Sequence, residues 1–350
     1  MTNARFSIAG RAIGSGEPPY VIAELSGNHN GDIARALRLI DAAKAAGCDA
    51  VKIQTYTADT ITIDHDGPEF RIEGGLWDGK TLYELYCEAH TPWEWHKPLF
   101  DYASERGIAC FSSPFDESAV DFLETLDAPA YKIARFEVVD TRLIRYAAKT
   151  GKPLIISTGM ATLDEIGEAV AAATEAGARG VTLLHCISAY PAPAEEANLA
   201  RIGALAARFG LPIGLSDHTL GAEVSIAAVA LGAVVIEKHI TLARAEGGPD
   251  AAFSLEPAEF RVLVDGVKTA QRAMGRADYG RTQSEAPNLK FRRSLYAVKD
   301  IAAGEVLSRE NMRSIRPGYG LAPRHFDEIL GKKTRRPVKR GTPISWDLLE

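Results

Sequence analysis

Eight short apolar segments that alternate with amphipathic helical stretches constrain the fold of this chain more than any other feature. Short apolar segments bounded by glycine are typical of strands that are buried on both faces of a parallel sheet. Because strands and helices alternate, each pair forms a β/α unit, and eight such units close into a barrel. The sequence therefore predicts an α/β fold, a (β/α)8 TIM barrel, with strands at residues 20–24, 50–54, 109–113, 130–133, 153–158, 181–185, 212–217 and 234–239.

The helical stretches have recognisable starts and stops. Residues 33–46 carry apolar side chains at helical spacing, and Gly47 is expected to end that helix. A capping box predicts the start of a helix over residues 162–176, and the last barrel helix is predicted at 257–274. Residues 58–82 form an unusually long β/α connection, which predicts a lid or a substrate-binding loop at the barrel mouth.

The chain is long enough for one barrel and a small second domain. We predict the barrel domain at residues 1–275, a polar linker at 276–289 and the small domain at 290–350. Residues 287–350 contain 14 Lys/Arg and 7 Asp/Glu, a net charge of +7, whereas the remainder contains 26 and 39, a net charge of −13. This asymmetry suggests electrostatic docking between the two parts or an anionic ligand at their junction.

Composition excludes several classes of protein. The chain is 46% hydrophobic and 25% charged, as in ordinary globular proteins, and no apolar run approaches the ~20 residues of a membrane span. We therefore expect no signal peptide and no membrane partner. We also expect no nucleic-acid partner, because the basic segment lacks interleaved aromatic residues. The cysteines are far apart and form no CxxC pair, which favours reduced thiols and a cytoplasmic location: Cys48, Cys87, Cys110 and Cys186.

The predicted strands end in polar residues, and barrel enzymes place their chemistry at the carboxyl ends of the strands. Strands buried on both faces are expected to be almost continuously apolar, so this polar set marks the candidate active site. The set consists of Glu24, Lys52, Gln54, Ser112, Lys132, Ser157, Ser216, His218 and His239.

Two histidines close neighbouring predicted strands. His218 and His239 could converge on one ion, since imidazole suits Zn, Fe, Mn and Co, and two protein ligands leave positions for water and substrate. The alternative is a pair of hydrogen-bonded structural histidines, and spacing alone favours neither interpretation.

Three lysines lie inside predicted buried strands: Lys52, Lys132 and Lys238. A buried lysine is costly unless it meets an anion, and the serines that end neighbouring strands add hydroxyl donors. The sequence therefore favours a phosphate or carboxylate site at the mouth. The alternative is internal salt bridges to the acidic residues of the same strands, namely Glu24, Asp217 and Glu237.

Three further residues are candidates by type. Glu24 could serve as a general acid or base, or could pair with Lys52. Asp250 ends the turn GGPD and could bind a polyol, although an Asx turn explains it equally well. Arg316 precedes Pro-Gly and, from its residue type alone, is interpreted as a surface arginine.

Several motifs in one order resemble the sialic acid synthase family, and the resemblance covers essentially the whole chain. From about residue 293, including IRPGYG (315–320), the chain resembles that family's antifreeze-like (SAF) domain. The barrel motifs are ELSGNHNG (24–31), KIQTY (52–56), FSSPFD (111–116), STGMAT (157–162), SAYPAP (188–193), GLSDHT (214–219), EKHIT (237–241) and GPDAAFSLEP (248–257).

The resemblance implies an enzyme that condenses phosphoenolpyruvate with an N-acylated amino sugar of six carbons, giving a nine-carbon 2-keto acid and phosphate. It implies a domain-swapped homodimer in which the SAF domain of one subunit caps the barrel of the other. His218 and His239 would hold a divalent metal ion, Mn²⁺, Mg²⁺ or Co²⁺. The residues expected around phosphoenolpyruvate are Lys52, Gln54, Ser112, Lys132, Ser157, Ser188 and Ser216. The residues expected to face the sugar are Glu24, Tyr190, Asp250 and Arg316 of the partner subunit, and the catalytic set is expected to be Glu24, Lys52, Tyr190, His218 and His239.

The chain departs from the family pattern at two positions. Ser188 stands where sialic-type members have asparagine. Arg135 stands where the related KIxS pattern has a small serine. An arginine there could donate two hydrogen bonds to an anion, or could crowd the pocket.

The first motif bears on the choice of sugar. ELSGNHN favours 2,4-diacetamido-2,4,6-trideoxy-L-altropyranose over N-acetylmannosamine, with N-acetylmannosamine and its diacetamido-trideoxy analogue as alternatives. A hypothesis of another class is a non-catalytic carbohydrate- or ice-binding scaffold, since the tail resembles an antifreeze fold.

Overall fold

The structure, a computed structural model, describes residues 5–350. Residues 1–4 lie outside the described residues. They belong to the predicted barrel domain and to the N-terminal segment in which no signal peptide is expected. The chain divides into two compact units, Met1–Gly275 and Arg276–Glu350. Within residues 5–350, no helix combines the length and the apolar character needed to cross a membrane.

The first unit is built on a closed barrel of eight parallel strands, as predicted. Each strand pairs with its sequence neighbours, and the last strand pairs with the first. The strands are β1 (Tyr20–Glu24), β2 (Ala50–Thr55), β3 (Ala109–Pro114), β4 (Tyr131–Ile133), β5 (Leu154–Ser157), β6 (Val181–Cys186), β7 (Ile213–Asp217) and β8 (Val235–His239).

Helices follow the strands, and the predicted bounds of the first and last helices are confirmed. The Asp32 side chain accepts from the Ala34 N–H and starts the first helix, while Gly47, at φ +89°, ends it. The helices are α1 (Ile33–Ala46), α2 (Ala58–Ile61), α3 (Leu82–Ala89), α4 (Trp93–Glu105), α5 (Glu117–Thr125), α6 (Thr141–Ala148), α7 (Leu163–Glu175), α8 (Ala200–Phe209), α9 (Glu223–Ala230) and α10 (Pro257–Met274).

Side chains alternate between the inside and the outside of the barrel, and both sides are packed. The outward-facing residues of the strands pack against the helices. A hairpin of Phe6–Ile8 and Arg11–Ile13 contributes Ile8 and Ile13 to the inner core. The barrel residues of this inner core are Tyr20, Ile22, Ala50, Phe111, Ala130, Ile155, Leu184 and Val235. Inward-facing residues beyond this apolar layer therefore form the floor of the mouth.

The second unit is a small, separate core. Strands β9 (Ser294–Ala297) and β10 (Met312–Ile315) pair in antiparallel fashion, and a short helix, α11 (Phe326–Ile329), follows them. The segment predicted as a linker is included in this unit and leads into a 3-10 helix at Ala286–Phe291. The core of the unit is formed by Leu295, Ala297, Ile301, Leu307, Met312, Ile329, Val338, Ile344, Leu348 and Leu349.

Candidate active site at the barrel mouth

A small cavity of about 50 Å³ lies at the carboxyl ends of the barrel strands. The structure brings together every predicted strand-end residue except Ser112. The cavity is lined by Glu24, Lys52, Gln54, Ser113, Lys132, Ala134, Arg135, Ser157, Cys186, Ser216, His218, Glu237 and His239.

The expectation that Ser112 faces the mouth is wrong. Its hydroxyl bonds to the Ile53 carbonyl (3.1 Å) and to the Thr55 hydroxyl (2.6 Å), which also contacts the His96 ring outside the barrel. The neighbouring Ser113 faces inward instead, and its Oγ accepts from Lys52 Nζ at 3.2 Å. Because side chains alternate along a strand, adjacent residues cannot both face the cavity.

The interpretation of Lys238 as a mouth cation is also wrong, for the same reason. Its side chain is fully buried outside the barrel, with Nζ 2.8 Å from Asp217 Oδ2 and 2.6 Å from the Thr219 carbonyl oxygen. The internal salt bridges named above as the alternative are present for all three buried lysines. Lys238 has Asp217, and the other two lysines have the carboxylates described next.

Two lysines and two glutamates form the floor of the cavity. Lys52 Nζ lies 2.5 Å from Glu24 Oε2 and 3.9 Å from Glu237 Oε2. Lys132 Nζ lies 3.8 Å from Glu237 Oε1 and donates to the Ser157 hydroxyl at 2.7 Å. All four charged side chains are buried, so their charges interact strongly.

The same network shifts the pKa values of its members in different directions. Burial, together with Glu237, raises the pKa of Glu24, although Lys52 opposes the shift. Burial would also raise the pKa of Glu237, but Lys132 and Lys52 hold it below its usual value. Burial lowers the pKa of Lys132, whereas for Lys52 the two glutamates outweigh burial and raise the pKa. Glu24 is therefore the carboxyl group in the cavity best suited to hold a proton.

The two predicted histidines lie side by side, with ring centroids 5.6 Å apart. His218 Nδ1 donates to the Ile187 carbonyl at 2.9 Å, which leaves its Nε2 as an acceptor. His239 Nδ1 is buried, has no hydrogen-bond partner in the described part of the chain, and lies 4.0 Å from Asp250 Oδ2. Burial lowers the pKa of His218 to about 4 and holds that of His239 well below 6.5, so both rings are neutral at pH 7.

Aromatic side chains form the wall above the floor. The Tyr190 ring lies 4.7 Å from the ring of His218, 4.9 Å from that of Phe253 and 5.7 Å from that of Trp77. Trp77 belongs to the long loop predicted as a lid, and its indole N–H donates to the Pro249 carbonyl at 2.9 Å. The long loop therefore reaches the mouth beside Tyr190.

The remaining predicted residues lie beside the cavity or elsewhere. Asp250 is buried, accepts from the Ser26 hydroxyl and has a pKa raised by burial. Ser188 has a buried hydroxyl without a hydrogen-bond partner. Arg316 follows strand β10 in the second unit and is not part of this set.

Sequence reasoning missed three inward-facing residues: Ser113, Cys186 and Glu237. Glu237 was considered only as a salt-bridge partner, yet it joins both floor lysines and accepts from the Ser216 hydroxyl at 3.0 Å. Counting alternate residues back from His239 would have identified Glu237 as inward-facing, since residues two apart share a face.

Comparison with known proteins agrees with this architecture. The NeuB family matches residues 39–279, and the SAF domain matches residues 292–350.

The pseudaminic acid synthase of Campylobacter jejuni (strain 81-176) is 46% identical over 93% of this chain and 95% of that protein. The pseudaminic acid synthase of Helicobacter pylori (strain 26695) is 43% identical over 95% of this chain and 98% of that protein. The crystal structure of N-acetylneuraminic acid (sialic acid) synthetase from Leptospira borgpetersenii, in complex with citrate, covers 83% of this chain and 96% of its own, with 30% identity and a TM-score of 0.74. The chain therefore belongs to the NeuB family and carries a SAF domain.

Proposed function

We propose that this chain condenses phosphoenolpyruvate with 2,4-diacetamido-2,4,6-trideoxy-L-altropyranose, giving pseudaminic acid and phosphate. The observation that carries the proposal is the buried mouth, where Lys52 and Lys132 lie with serine hydroxyls beside two neutral histidines. The choice of sugar rests on the identity with the pseudaminic acid synthases of Campylobacter and Helicobacter.

Phosphoenolpyruvate suits the floor because it brings two anionic groups to a site with buried cations. Lys52 and Lys132 supply charge, and the hydroxyls of Ser113, Ser157 and Ser216 can donate hydrogen bonds to the same anions. In the reaction, carbon 3 of phosphoenolpyruvate attacks the aldehyde carbon of the open-chain sugar, and positive charge develops at carbon 2. Water adds at carbon 2, and the resulting tetrahedral intermediate expels phosphate.

Glu24 is the group we assign to proton transfer. Its raised pKa makes the carboxyl a better proton donor near neutral pH than an exposed glutamate. An anion bound at Lys52 would weaken the Lys52–Glu24 pair, and would thereby raise the pKa of Glu24 further. Glu24 then delivers its proton to the alkoxide that forms from the aldehyde, while Gln54, which donates to Glu24 Oε1 at 2.9 Å, holds the carboxyl group in place.

His218 and His239 would hold a divalent metal ion, for which Mn²⁺, Mg²⁺ and Co²⁺ are the candidates. The pair fits this role, because both rings are neutral and the buried His239 Nδ1 has no other partner. Among residues 5–350, no group of three or more His, Cys, Asp or Glu side chains is arranged to hold an ion, so water and substrate would complete the coordination. An ion held by these two histidines would supply Lewis-acid polarisation of the sugar aldehyde.

The test of the reaction is phosphate release from phosphoenolpyruvate with Mn²⁺. It compares the diacetamido-altrose sugar with the legionaminic precursor and with N-acetylmannosamine. We expect release with the altrose sugar and little or none with the other two. Activity with N-acetylmannosamine alone would overturn the choice of sugar. Absence of release with all three in metal-loaded protein would overturn the reaction.

The variant His218→Ala tests the metal site and the scaffold hypothesis together. We expect lost metal binding and lost turnover with an unchanged circular dichroism spectrum. If the wild type and His218→Ala bind the sugar equally and neither turns it over, the result would support a non-catalytic scaffold. Buried lysines paired with carboxylates at the mouth favour the enzyme, since a flat ice-binding surface needs neither.

We also propose that the chain works in the cytoplasm as a homodimer whose SAF domain caps the barrel of its partner. Free cysteines support the location, since the reducing cytoplasm keeps thiols unpaired. Exposed apolar side chains near the ends of β4, β5 and β7 support a covered mouth: Phe136, Val139, Met160, Leu163 and Leu220.

Mixing two inactive variants tests the swapped cap. If Arg316 completes the site of the other subunit, an Arg316→Ala chain mixed with a Glu24→Ala chain should regain part of the activity through hybrid dimers. No recovery, despite demonstrated heterodimers, would contradict the swap.

A further inference from the structure

The Arg135 guanidinium differs from the other cations of the cavity, because within residues 5–350 no carboxylate oxygen lies within 4 Å of it. Lys52 and Lys132 each lie within 4 Å of a glutamate. Among residues 5–350, none forms a salt bridge or a hydrogen bond with Arg135, and its Nε is buried without any partner. Burial lowers the pKa of Arg135, and the carboxylates of Glu137 and Asp250 oppose this shift only in part.

The charges that line the cavity do not balance. Three cations, Lys52, Lys132 and Arg135, face two carboxylates, Glu24 and Glu237. The two glutamates lie against the lysines, whereas Glu137 and Asp250, the carboxylates that act electrostatically on Arg135, form no salt bridge with it among residues 5–350. A buried guanidinium without a salt bridge is suited to bind an anion that arrives with the substrate.

Two aromatic rings hold the guanidinium in place. Arg135 Cζ lies 4.2 Å from the ring centroid of Phe136 and 4.5 Å from that of Tyr190. Stacking of this kind orients the planar group and leaves its N–H edge free to donate.

The backbone of Gly159 approaches Arg135 closely. Gly159 has φ +42°, and a Cβ at this position would lie 2.7 Å from Arg135 Cβ and 3.4 Å from Ser188 Oγ. The buried Ser188 hydroxyl likewise finds no hydrogen-bond partner among the residues that the structure describes. Arg135 and Ser188 therefore both approach Gly159, and each carries a buried donor, Arg135 Nε or the Ser188 hydroxyl, that has no hydrogen-bond partner among residues 5–350.

We infer that Arg135 binds the phosphate group of phosphoenolpyruvate and thereby acts as a third cation of the site, in a position where a small serine would serve more weakly. The inference rests on the proposed function, because the sugar is neutral and phosphoenolpyruvate is the anion of that reaction. Of its two anionic groups, the phosphate carries more charge and offers more acceptor oxygens to the guanidinium.

The experiment measures phosphoenolpyruvate binding by calorimetry without sugar, in the full-length wild type and in Arg135→Ser, Arg135→Gln and Arg135→Lys. We expect the Kd of Arg135→Ser and Arg135→Gln to rise about ten- to a hundredfold, as for a lost hydrogen bond to a charged group. The Kd of Arg135→Lys should lie between that of the wild type and that of Arg135→Ser, because lysine keeps the charge but cannot donate two parallel hydrogen bonds. The matched control is Arg142→Ser, an arginine on α6 whose side chain is 83% exposed, and its Kd should not change.

Competition identifies which end of the substrate Arg135 contacts. Inorganic phosphate should inhibit Arg135→Ser at least tenfold more weakly than it inhibits the wild type, whereas pyruvate, which has the carboxylate alone, should inhibit both equally. The reverse pattern would overturn the assignment to phosphate. Equal or tighter binding of phosphoenolpyruvate by Arg135→Ser and Arg135→Gln would mean that the arginine only crowds the pocket. If the wild type itself binds no phosphoenolpyruvate, the proposed function fails instead.

Discussion

Lys238 is the buried lysine that should matter for stability and not for substrate binding. Its Nζ lies 2.8 Å from Asp217 Oδ2, and both side chains are essentially inaccessible. At an effective dielectric constant of about 20, this pair attracts by about 6 kcal/mol, which the cost of desolvating both charges largely offsets. Replacing one partner leaves the other charge buried without compensation, which typically costs about 3–5 kcal/mol.

Lys238→Met should lower the free energy of unfolding by about 3 kcal/mol, near the lower end of that range. Asp217 keeps hydrogen bonds from the Thr219 N–H (2.9 Å), the Thr219 hydroxyl (2.7 Å) and the Ser225 hydroxyl (2.6 Å), which continue to stabilise the carboxylate. For a unit of this size, such a loss lowers Tm by about 5 °C. Kd for phosphoenolpyruvate should be unchanged, because the side chain lies outside the barrel.

Circular dichroism melting at a fixed scan rate measures Tm, and calorimetry measures the Kd for phosphoenolpyruvate. The double variant Asp217→Asn, Lys238→Met should recover part of the lost Tm, since it removes the unpaired charge. Lys132→Met is the contrasting variant and should weaken phosphoenolpyruvate binding at least tenfold. A Tm loss under 1 °C for Lys238→Met, or a tenfold weaker Kd, would refute the assignment of Lys238 to the outer face.

Further predictions concern other buried groups. Burial lowers the pKa of His96 to about 4, so the unfolded chain takes up a proton between pH 6.5 and 4 that the native chain does not. Stability is therefore lost as pH falls through this window, by about 2 kcal/mol between pH 7 and 5, and His96→Gln should remove that part of the slope in urea unfolding. Ser113→Ala should raise the Kd for phosphoenolpyruvate, whereas Ser112→Ala should leave it unchanged and cost about 1 kcal/mol of stability, measured in the same assays. Glu24→Gln should lower kcat by about 10²–10⁴ with a nearly unchanged KM for phosphoenolpyruvate in steady-state assays, and an unchanged kcat would exclude Glu24 from proton transfer.

Local signals predicted the elements of the barrel closely. The first and last helices begin and end at the predicted residues, because apolar spacing and the glycine or capping residues act within one or two turns. The eight strands were found for a similar reason, since each is a short apolar segment bounded by a turn. The carboxyl end of each strand then identified the mouth of the barrel, because the fold places those ends together.

The inward or outward direction of adjacent polar residues was harder to predict. Ser112 and Ser113 are both serines on β3, and both are buried, so polarity does not distinguish the residue that faces the cavity. In a strand with one exposed face, alternation of polar and apolar residues would settle the question. In a barrel strand that is covered on both faces, that alternation is lost.

Local sequence patterns were sufficient to predict the barrel, the location of the mouth and the residue types available there. Which charges meet depends on the tertiary structure. Lys132 on β4 and Glu237 on β8 are far apart in sequence and on strands that do not pair, yet closure of the barrel brings them within 4 Å. The lack of a salt bridge to Arg135 within residues 5–350 likewise emerges only from the folded chain, because the partners of a buried charge lie on elements that are distant in sequence.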